Sequence, residues 1–184
     1  MSFSNTYKMN KIVWKYTYNQ ISTDDVKEIL KGTGFDFPLD YIECVAMNNG
    51  GHVEQMLFDV EGIERVFGSL LSFNHERIER VFGSLLSFNH ESEEFILETN
   101  NEYKDTFPSE LFPIGIDPGG NLICFDYKNH EENPIVVFWE HEGAWEKEAL
   151  MESEGITAEQ AEEAARENVF YIAASFTEFL KKLY

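Results

Sequence analysis

The stretch LFPIGIDPGGNLICFDY, residues 111–127, is the clearest structural signal in the chain. Apolar, strand-like runs from Leu111 to Ile116 and from Leu122 to Tyr127 flank the turn sequence DPGGN at 117–121. Proline presets φ for the second position of a turn, and glycine accepts the positive φ of the third position. The stretch therefore predicts a β-hairpin.

Downstream of this hairpin the sequence predicts one further strand and two helices. Pro134 stands before the apolar run IVVFW at 135–139, which is typical of a strand. Thr157 is a suitable cap for an Ala- and Glu-rich helix that continues to Asn168. A C-terminal helix is predicted from apolar residues spaced three or four apart, namely Ile172, Phe176, Phe179, Leu180 and Leu183.

Two helices are predicted near the N-terminus. The first is capped by Ser22 and stops at Gly32. The second starts at Pro38, which suits the first turn of a helix, and ends at Gly50, where glycine tolerates positive φ. Residues 1–20 form either a frayed arm or an added edge strand, and the sequence leaves both alternatives open.

Between these helices and the hairpin lie a predicted strand and a third helix. The strand covers His52–Phe58, and Ser92 is a cap for a helix from Glu93 to Tyr103. Strands thus cluster in the middle of the chain, with helices towards both ends. This order predicts a single α+β domain over residues 1–184, not alternating βαβ units.

The composition indicates one acidic globular domain. Fourteen Lys and Arg stand against 34 Asp and Glu in 184 residues, a formal net charge of −20, and 43% of the residues are apolar. The apolar fraction is too high for a disordered chain. The acidic field repels polyanions, so nucleic acid and anionic membranes are excluded as partners, and a basic protein surface is the natural complement.

The cysteines and the N-terminal segment predict a cytoplasmic protein. Cys44 and Cys124 are the only cysteines and form no CxxC pair, so we expect both to be reduced core residues. The first 20 residues contain no apolar signal-peptide core. No apolar run approaches the roughly 18 residues that span a bilayer.

A tandem duplication of 15 residues covers 63–77 and 78–92, and both copies begin with IERVFGSLLSFNHE. Identity over fourteen positions indicates a recent or engineered duplication, not a structural array. Either one copy takes the sheet position while the other is an insertion, or the two copies pair as an added hairpin. We favour the first arrangement with the second copy in place, because its continuation into Ser92 is undisturbed. Identical segments also make strand exchange between molecules possible.

Five sequence blocks occur in an order that resembles the SUKH superfamily. They are FPLDYIECVAMNNGG (37–51), LLSFN, LFPIGIDPGGNLICFD (111–126), PIVVFWEHE (134–142) and IAASFTEFL (172–180). That superfamily includes fungal cell-wall synthesis regulators and many bacterial immunity proteins. The resemblance covers residues 22–184 apart from the duplicated unit. It implies an α+β fold with a mixed, twisted central sheet packed by helices, and a role in neutralising a cognate toxin, often a nuclease.

No catalytic residue, metal site or cofactor is predicted. The histidines have no HExxH or His-x-His spacing; they lie at positions 52, 75, 90, 130 and 141. GxSxG, a phosphate-binding glycine loop and a Cys/His nucleophile pattern are all missing from the sequence. The chain is therefore predicted not to be an enzyme.

An acidic binding surface is predicted around the 117–126 turn and the end of the 135–139 strand. Residues 126–163 carry twelve carboxylates against Lys128 and Lys147. The predicted toxin-binding residues are Asp117, Asn121, Asp126, Glu140, Glu142 and Trp145. A carboxylate pair at the turn also fits an acid/base dyad or a cation site, but turn stabilisation by Asx side chains is favoured.

The sequence thus predicts an immunity protein that binds one protein toxin, a basic nuclease, through its acidic surface. The alternative is a non-enzymatic regulatory or scaffold module of the fungal-regulator type that binds endogenous proteins. The oligomeric state is left open.

Overall fold

The computed structural model describes residues 12–60 and 78–184. Its strands are β1 (Trp14–Lys15), β2 (His52–Val53), β3 (Leu57–Val60), β4 (Ile78–Val81), β5 (Ser84–Leu85), β6 (Leu111–Ile116), β7 (Leu122–Asp126), β8 (Ile135–Trp139) and β9 (Val169–Ala173). Its helices are α1 (Thr23–Leu30), α2 (Leu39–Met47), α3 (Ile96–Tyr103), α4 (Lys147–Glu154), α5 (Ala158–Ala165) and α6 (Phe176–Lys181). No helix in this part of the chain has the length and apolarity that crossing a membrane requires.

Within residues 12–60 and 78–184, seven strands form the central sheet, in the order β1-β2-β5-β6-β7-β8-β9. Neighbouring strands in this sheet pair antiparallel, and β3 and β4 form a separate antiparallel pair. The parallel component expected of a mixed sheet is confined, among the described residues, to an isolated bridge between Ser87 and Phe95. With helices towards both ends, the α+β prediction is confirmed.

The central hairpin is confirmed as β6 and β7, and the predicted strand at 135–139 is β8. The helices predicted to start after Ser22 and after Thr157, α1 and α5, are also confirmed by their caps. Ser22 accepts a hydrogen bond from the backbone N–H of Asp25 at 3.0 Å, and Thr157 accepts one from Gln160 at 3.2 Å. Both helices therefore start where local side-chain bonding satisfies their first free N–H groups.

Three predicted elements are corrected. The strand proposed for 52–58 is two strands in different sheets, because β2 joins the central sheet whereas β3 pairs with β4. The third helix begins at Ile96, since Ser92 instead bonds the backbone N–H of Glu94 in the preceding turn. Ile172 lies in β9 and not in the C-terminal helix, which starts at Phe176.

The second copy of the duplicated unit contributes to both sheets. Its first four residues form β4, and Ser84 and Leu85 form β5 between β2 and β6. Gly83 separates the two strands, and a Cβ there would lie 2.5 Å from the Ile116 carbonyl oxygen. The first copy, and with it the predicted insertion or added hairpin, lies outside the described residues. So do residues 1–11, whereas Trp14 and Lys15 form an edge strand.

Two apolar clusters lie on opposite faces of the central sheet. Along β7, Ile123 and Phe125 belong to a large cluster covered by α1, α2 and α6, while Leu122 and Cys124 belong to a smaller one. Alternate residues of a strand point to opposite faces, which explains this division. The smaller cluster is centred on buried Trp139, and its face of the sheet carries the acidic elements described next.

Candidate functional site

The six predicted surface residues do not form one patch. Leu122, which follows Asn121, pairs with Trp139, which precedes Glu140, so Asn121 and Glu140 lie at one end of the β7–β8 pair. Asp126 pairs with Ile135 at the other end. Four residues of strand, about 13 Å, separate the two ends.

Asp117 and Asn121 stabilise the turn between β6 and β7. Asp117 Oδ1 accepts hydrogen bonds from the backbone N–H groups of Gly119 and Asn121, both at 2.8 Å. The Asn121 side-chain amide donates to Asp117 Oδ2, and its Oδ1 accepts from the backbone N–H of His141 at 3.0 Å. Asn121 is buried, so these bonds join the turn to the end of β8, as the turn-stabilising interpretation predicts.

Glu140 is buried, with only 6% of its surface exposed. Its Oε1 accepts a 2.9 Å ion-paired hydrogen bond from Arg80 Nη2, and the Arg80 guanidinium lies 4.8 Å from the centre of the Phe138 ring. Arg80 belongs to β4, so this pair joins the two-stranded sheet to the central sheet. Glu140 therefore serves an internal contact between the sheets.

Asp126 is also buried in an internal cluster, with Arg166 and Glu110. Arg166 binds Asp126 through two nitrogens and donates to Glu110 Oε2 at 2.9 Å. Burial raises the pKa of Glu110, but hydrogen bonding and charge from Arg166 outweigh burial and lower this pKa overall. Arg166 is held protonated in turn, because its two carboxylate partners raise its pKa against the effect of burial.

Glu142 and Trp145 are the predicted residues that the structure leaves at the surface. Trp145 exposes 65% of its surface immediately before α4, although its neighbour Ala144 packs against the smaller apolar cluster. Tryptophan is enriched among the residues that anchor protein interfaces, so an indole this exposed is available to contact a partner. Among the six predictions, Trp145 therefore has the geometry of an interface anchor.

The helical pair α4–α5, which we call the acidic hairpin (residues 147–165), carries six glutamates and one lysine. Helix α4 buries none of its residues and contacts chiefly α5. The sequence predictions missed α4, because it lacks an apolar stripe and a side-chain cap. Its one available signal was Gly155, which ends α4 in the left-handed conformation, at φ 66°.

The two cations of this region both point inward. Lys147 Nζ binds Glu162 Oε1 at 2.7 Å and the Phe107 carbonyl oxygen at 3.0 Å. Arg166, directly after α5, is held by Asp126 and Glu110. These contacts fix the acidic hairpin against the end of β7 and the segment before β6, and they remove both positive charges from its outer surface.

Exposed glutamates consequently dominate the outside of the acidic hairpin and its flanks. Within the described part of the chain, no cation lies at ion-pair distance from Glu146, Glu148, Glu152, Glu154, Glu159 or Glu167. Glu163 contacts Lys128 at 3.3 Å, and both side chains are largely in solvent. The surface is an uncompensated negative field beside an exposed indole.

A family comparison identifies the fold that carries this surface. The model of the SMI1 / KNR4 family (SUKH-1) matches residues 20–182. The chain belongs to the SUKH-1 family. The match includes both copies of the duplicated unit and the whole acidic hairpin. No curated protein and no solved structure matches the chain significantly.

SUKH-1 membership supports a toxin-immunity or regulatory module that acts through protein–protein interaction. The acidic hairpin is suited to such a role, because exposed carboxylates attract basic surfaces over several ångströms in water. In the described residues of this SUKH-1 chain, no group of three or more His, Cys, Asp and Glu side chains is arranged to hold a metal ion. The exposed carboxylates of the acidic hairpin give this surface the capacity for electrostatic docking.

Proposed function

We propose that this SUKH-1 chain is a non-enzymatic, cytoplasmic immunity protein that binds and neutralises a basic toxin domain, a nuclease, through the acidic hairpin. The observation that carries the proposal is the inward placement of Lys147 and Arg166, which leaves most outer glutamates of the acidic hairpin without a cationic partner among the described residues, namely Glu148, Glu152, Glu154 and Glu159. A nuclease presents a basic groove to nucleic acid, and an acidic protein surface competes for that groove.

The arrangement of the glutamates costs helix stability. Glu148 and Glu152 are four residues apart on α4, and Glu159 and Glu163 are four apart on α5. Like charges at this spacing destabilise a helix by about 0.2–0.5 kcal/mol per pair. A surface that retains such repulsion is better explained by binding than by folding.

Trp145 supplies the apolar contact that charge alone does not provide. Rim charges mainly accelerate association, whereas desolvated aromatic anchors mainly slow dissociation. We therefore assign the glutamates of the acidic hairpin to steering and Trp145 to retention. Asp126 and Glu140, which are buried, are left out of the contact surface.

The first test is rescue. The gene is co-expressed with the toxin domain encoded beside it, and growth and nuclease activity are measured. We expect restored growth and inhibited nuclease. Failure to rescue from any toxin domain encoded nearby, together with lack of binding to the purified domains, contradicts the immunity role.

Binding kinetics test the surface. The variant Glu152→Lys/Glu159→Lys should slow association with the toxin domain about tenfold at low salt, and the difference should shrink as ionic strength rises. Its stability should hold, because Glu152→Lys replaces a like-charge pair with Glu148 by an opposite-charge pair. Trp145→Ala should instead speed dissociation.

The matched control is Glu131→Lys/Glu132→Lys, which changes the net charge equally in the exposed loop between β7 and β8. We expect it to alter association much less. Equal slowing by both double variants would show that net charge alone steers the toxin and that the acidic hairpin is not the docking surface.

A regulatory module that binds an endogenous protein is the second candidate, since SUKH-1 membership supports a regulatory module as well as an immunity protein. It predicts the same dependence on the acidic hairpin but a different partner. Gene neighbourhood separates the two, because an immunity gene lies beside a gene for a large protein with a toxic C-terminal domain.

A further inference from the structure

A groove of about 600 Å³ lies where β1 and β2 meet the turn before α3, away from the acidic hairpin. Its lining residues are Tyr16, Thr17, Tyr18, Gly50, His52 and Glu91–Glu94. Tyr16 stands edge-on to His52, with ring centres 6.0 Å apart, and the Tyr18 hydroxyl lies 3.4 Å from Ser92 Oγ. The groove therefore has two tyrosines on one side and carboxylates on the other.

Tyr16 has a backbone conformation and an exposure that do not favour the folded state. Tyr16 is 83% exposed, and its backbone is left-handed, at φ 53°. A bulky side chain in this region costs stability, and an exposed ring returns little packing energy. A strained residue that presents an aromatic face to solvent indicates a binding role.

The ring of Tyr18 packs against the backbone at Gly50. A Cβ on Gly50 would lie 2.5 Å from Tyr18 Cδ2, and Gly50 itself has φ 63°. The glycine thus lets the ring lie directly on the chain. Tyr18 keeps 45% of its surface exposed, so this ring is both fixed and accessible.

The charge of the groove is negative, because glutamates line it. Glu91 and Glu93 are exposed, and Glu94 is half-buried, with its carboxylate accepting a 2.9 Å hydrogen bond from Ser84. No lysine or arginine is among the described residues that line the groove, and nearby Lys15 is paired with Glu54 at 2.9 Å. A cation that enters meets aromatic faces and carboxylates together.

We propose that this groove binds an arginine side chain on a basic segment of a partner protein. A guanidinium stacks on tyrosine rings and forms two parallel hydrogen bonds to a carboxylate, which a lysine ammonium does not. The groove is a second interaction surface beyond the proposed function. Its test uses no toxin, so the failure of one proposal is distinguishable from the failure of the other.

The experiment titrates the full chain with acetylated hexa-arginine amide at low salt and follows backbone amide resonances together with tyrosine and histidine side-chain resonances by NMR. We expect saturable shifts of Tyr16, Tyr18 and His52, with weaker binding of hexalysine. Tyr16→Asn should raise the Kd at the groove about threefold to fivefold. Its thermal midpoint should hold or rise, because asparagine tolerates positive φ.

Glu91→Gln/Glu93→Gln should weaken groove binding similarly, whereas Glu131→Gln/Glu132→Gln, which removes the same charge elsewhere, should leave it nearly unchanged. The proposal is overturned if shifts are confined to the acidic hairpin, or if both double variants weaken binding equally. Equal affinity for hexalysine would overturn the assignment to arginine.

Discussion

Arg166 holds both oxygens of the Asp126 carboxylate, with Nη1 2.6 Å from Oδ2 and Nη2 3.1 Å from Oδ1. The two side chains are 14% and 8% exposed. Because Asp126 ends β7 and Arg166 follows α5, this pair fastens the acidic hairpin to the central sheet. The Arg166–Asp126 ion pair therefore both stabilises the fold and positions the acidic hairpin.

Arg166→Met should lower the free energy of unfolding by about 3 kcal/mol, because it leaves the buried Asp126 carboxylate without its cation. Urea unfolding measures the change. The control is Lys128→Met, which removes an exposed ion pair with Glu163 and should change stability by less than about 1 kcal/mol. Equal effects of the two substitutions would contradict a structural role for Arg166.

Deleting residues 63–77 should leave stability unchanged or raise it by up to about 2 kcal/mol, because the loop that joins paired residues becomes shorter. Val60 pairs with Ile78, and after the deletion only Glu61 and Gly62 connect them. A two-residue connection with glycine second suits a tight hairpin turn. Loss of cooperative unfolding in calorimetry would show that both copies are integral.

The matched control deletes residues 78–92 instead. The two shortened chains differ at a single position, where one keeps Ser92 and the other keeps Arg77. Ser92 Oγ accepts a hydrogen bond from the backbone N–H of Glu94 at 3.2 Å. The chain that keeps Arg77 should be less stable by about 1 kcal/mol, and urea midpoints compare the pair.

Acid should weaken the Arg166 cluster through Glu110. The folded-state pKa of Glu110 is lowered from 4.5, so its contribution is present above the unfolded-state pKa and is lost as pH falls through the folded-state value. The urea midpoint of the wild-type chain should decrease as the pH is lowered from about 6 to about 3. In Glu110→Gln this dependence should be shallower, and identical profiles would contradict the assignment.

The thiols should react slowly in the native chain. Burial raises the pKa of Cys44 to about 11, and complete burial also raises the pKa of Cys124 well above its ordinary value. At pH 8 only about one Cys44 thiol in a thousand is then ionised, so alkylation by iodoacetamide should be about a hundredfold slower than for a free thiol. Denaturation should restore both rates, whereas fast native labelling of Cys44 would contradict this.

Local signals were sufficient for the central hairpin and for the starts of helices α1 and α5. The DPGGN turn, the Ser22 cap and the Thr157 cap each depend on bonds between residues at most four positions apart. Such interactions are present in the sequence itself. Helix α4 was missed because it buries no residue, and Ile172 was misassigned because strand and helix spacings coincide there.

The acidity of residues 126–163, and the position of Trp145 within it, follow from the sequence alone. Which carboxylates face solvent was decided only by tertiary structure. Arg80 reaches Glu140 from 60 positions away, and Arg166 reaches Asp126 from 40 positions away. A buried carboxylate is stable only beside a cation, and strand pairing and helix packing determine which carboxylates receive one. Within the acidic hairpin, Glu162 and Glu163 pair with Lys147 and Lys128, whereas Glu148, Glu152, Glu154 and Glu159 receive no cation from the described residues and stay in water.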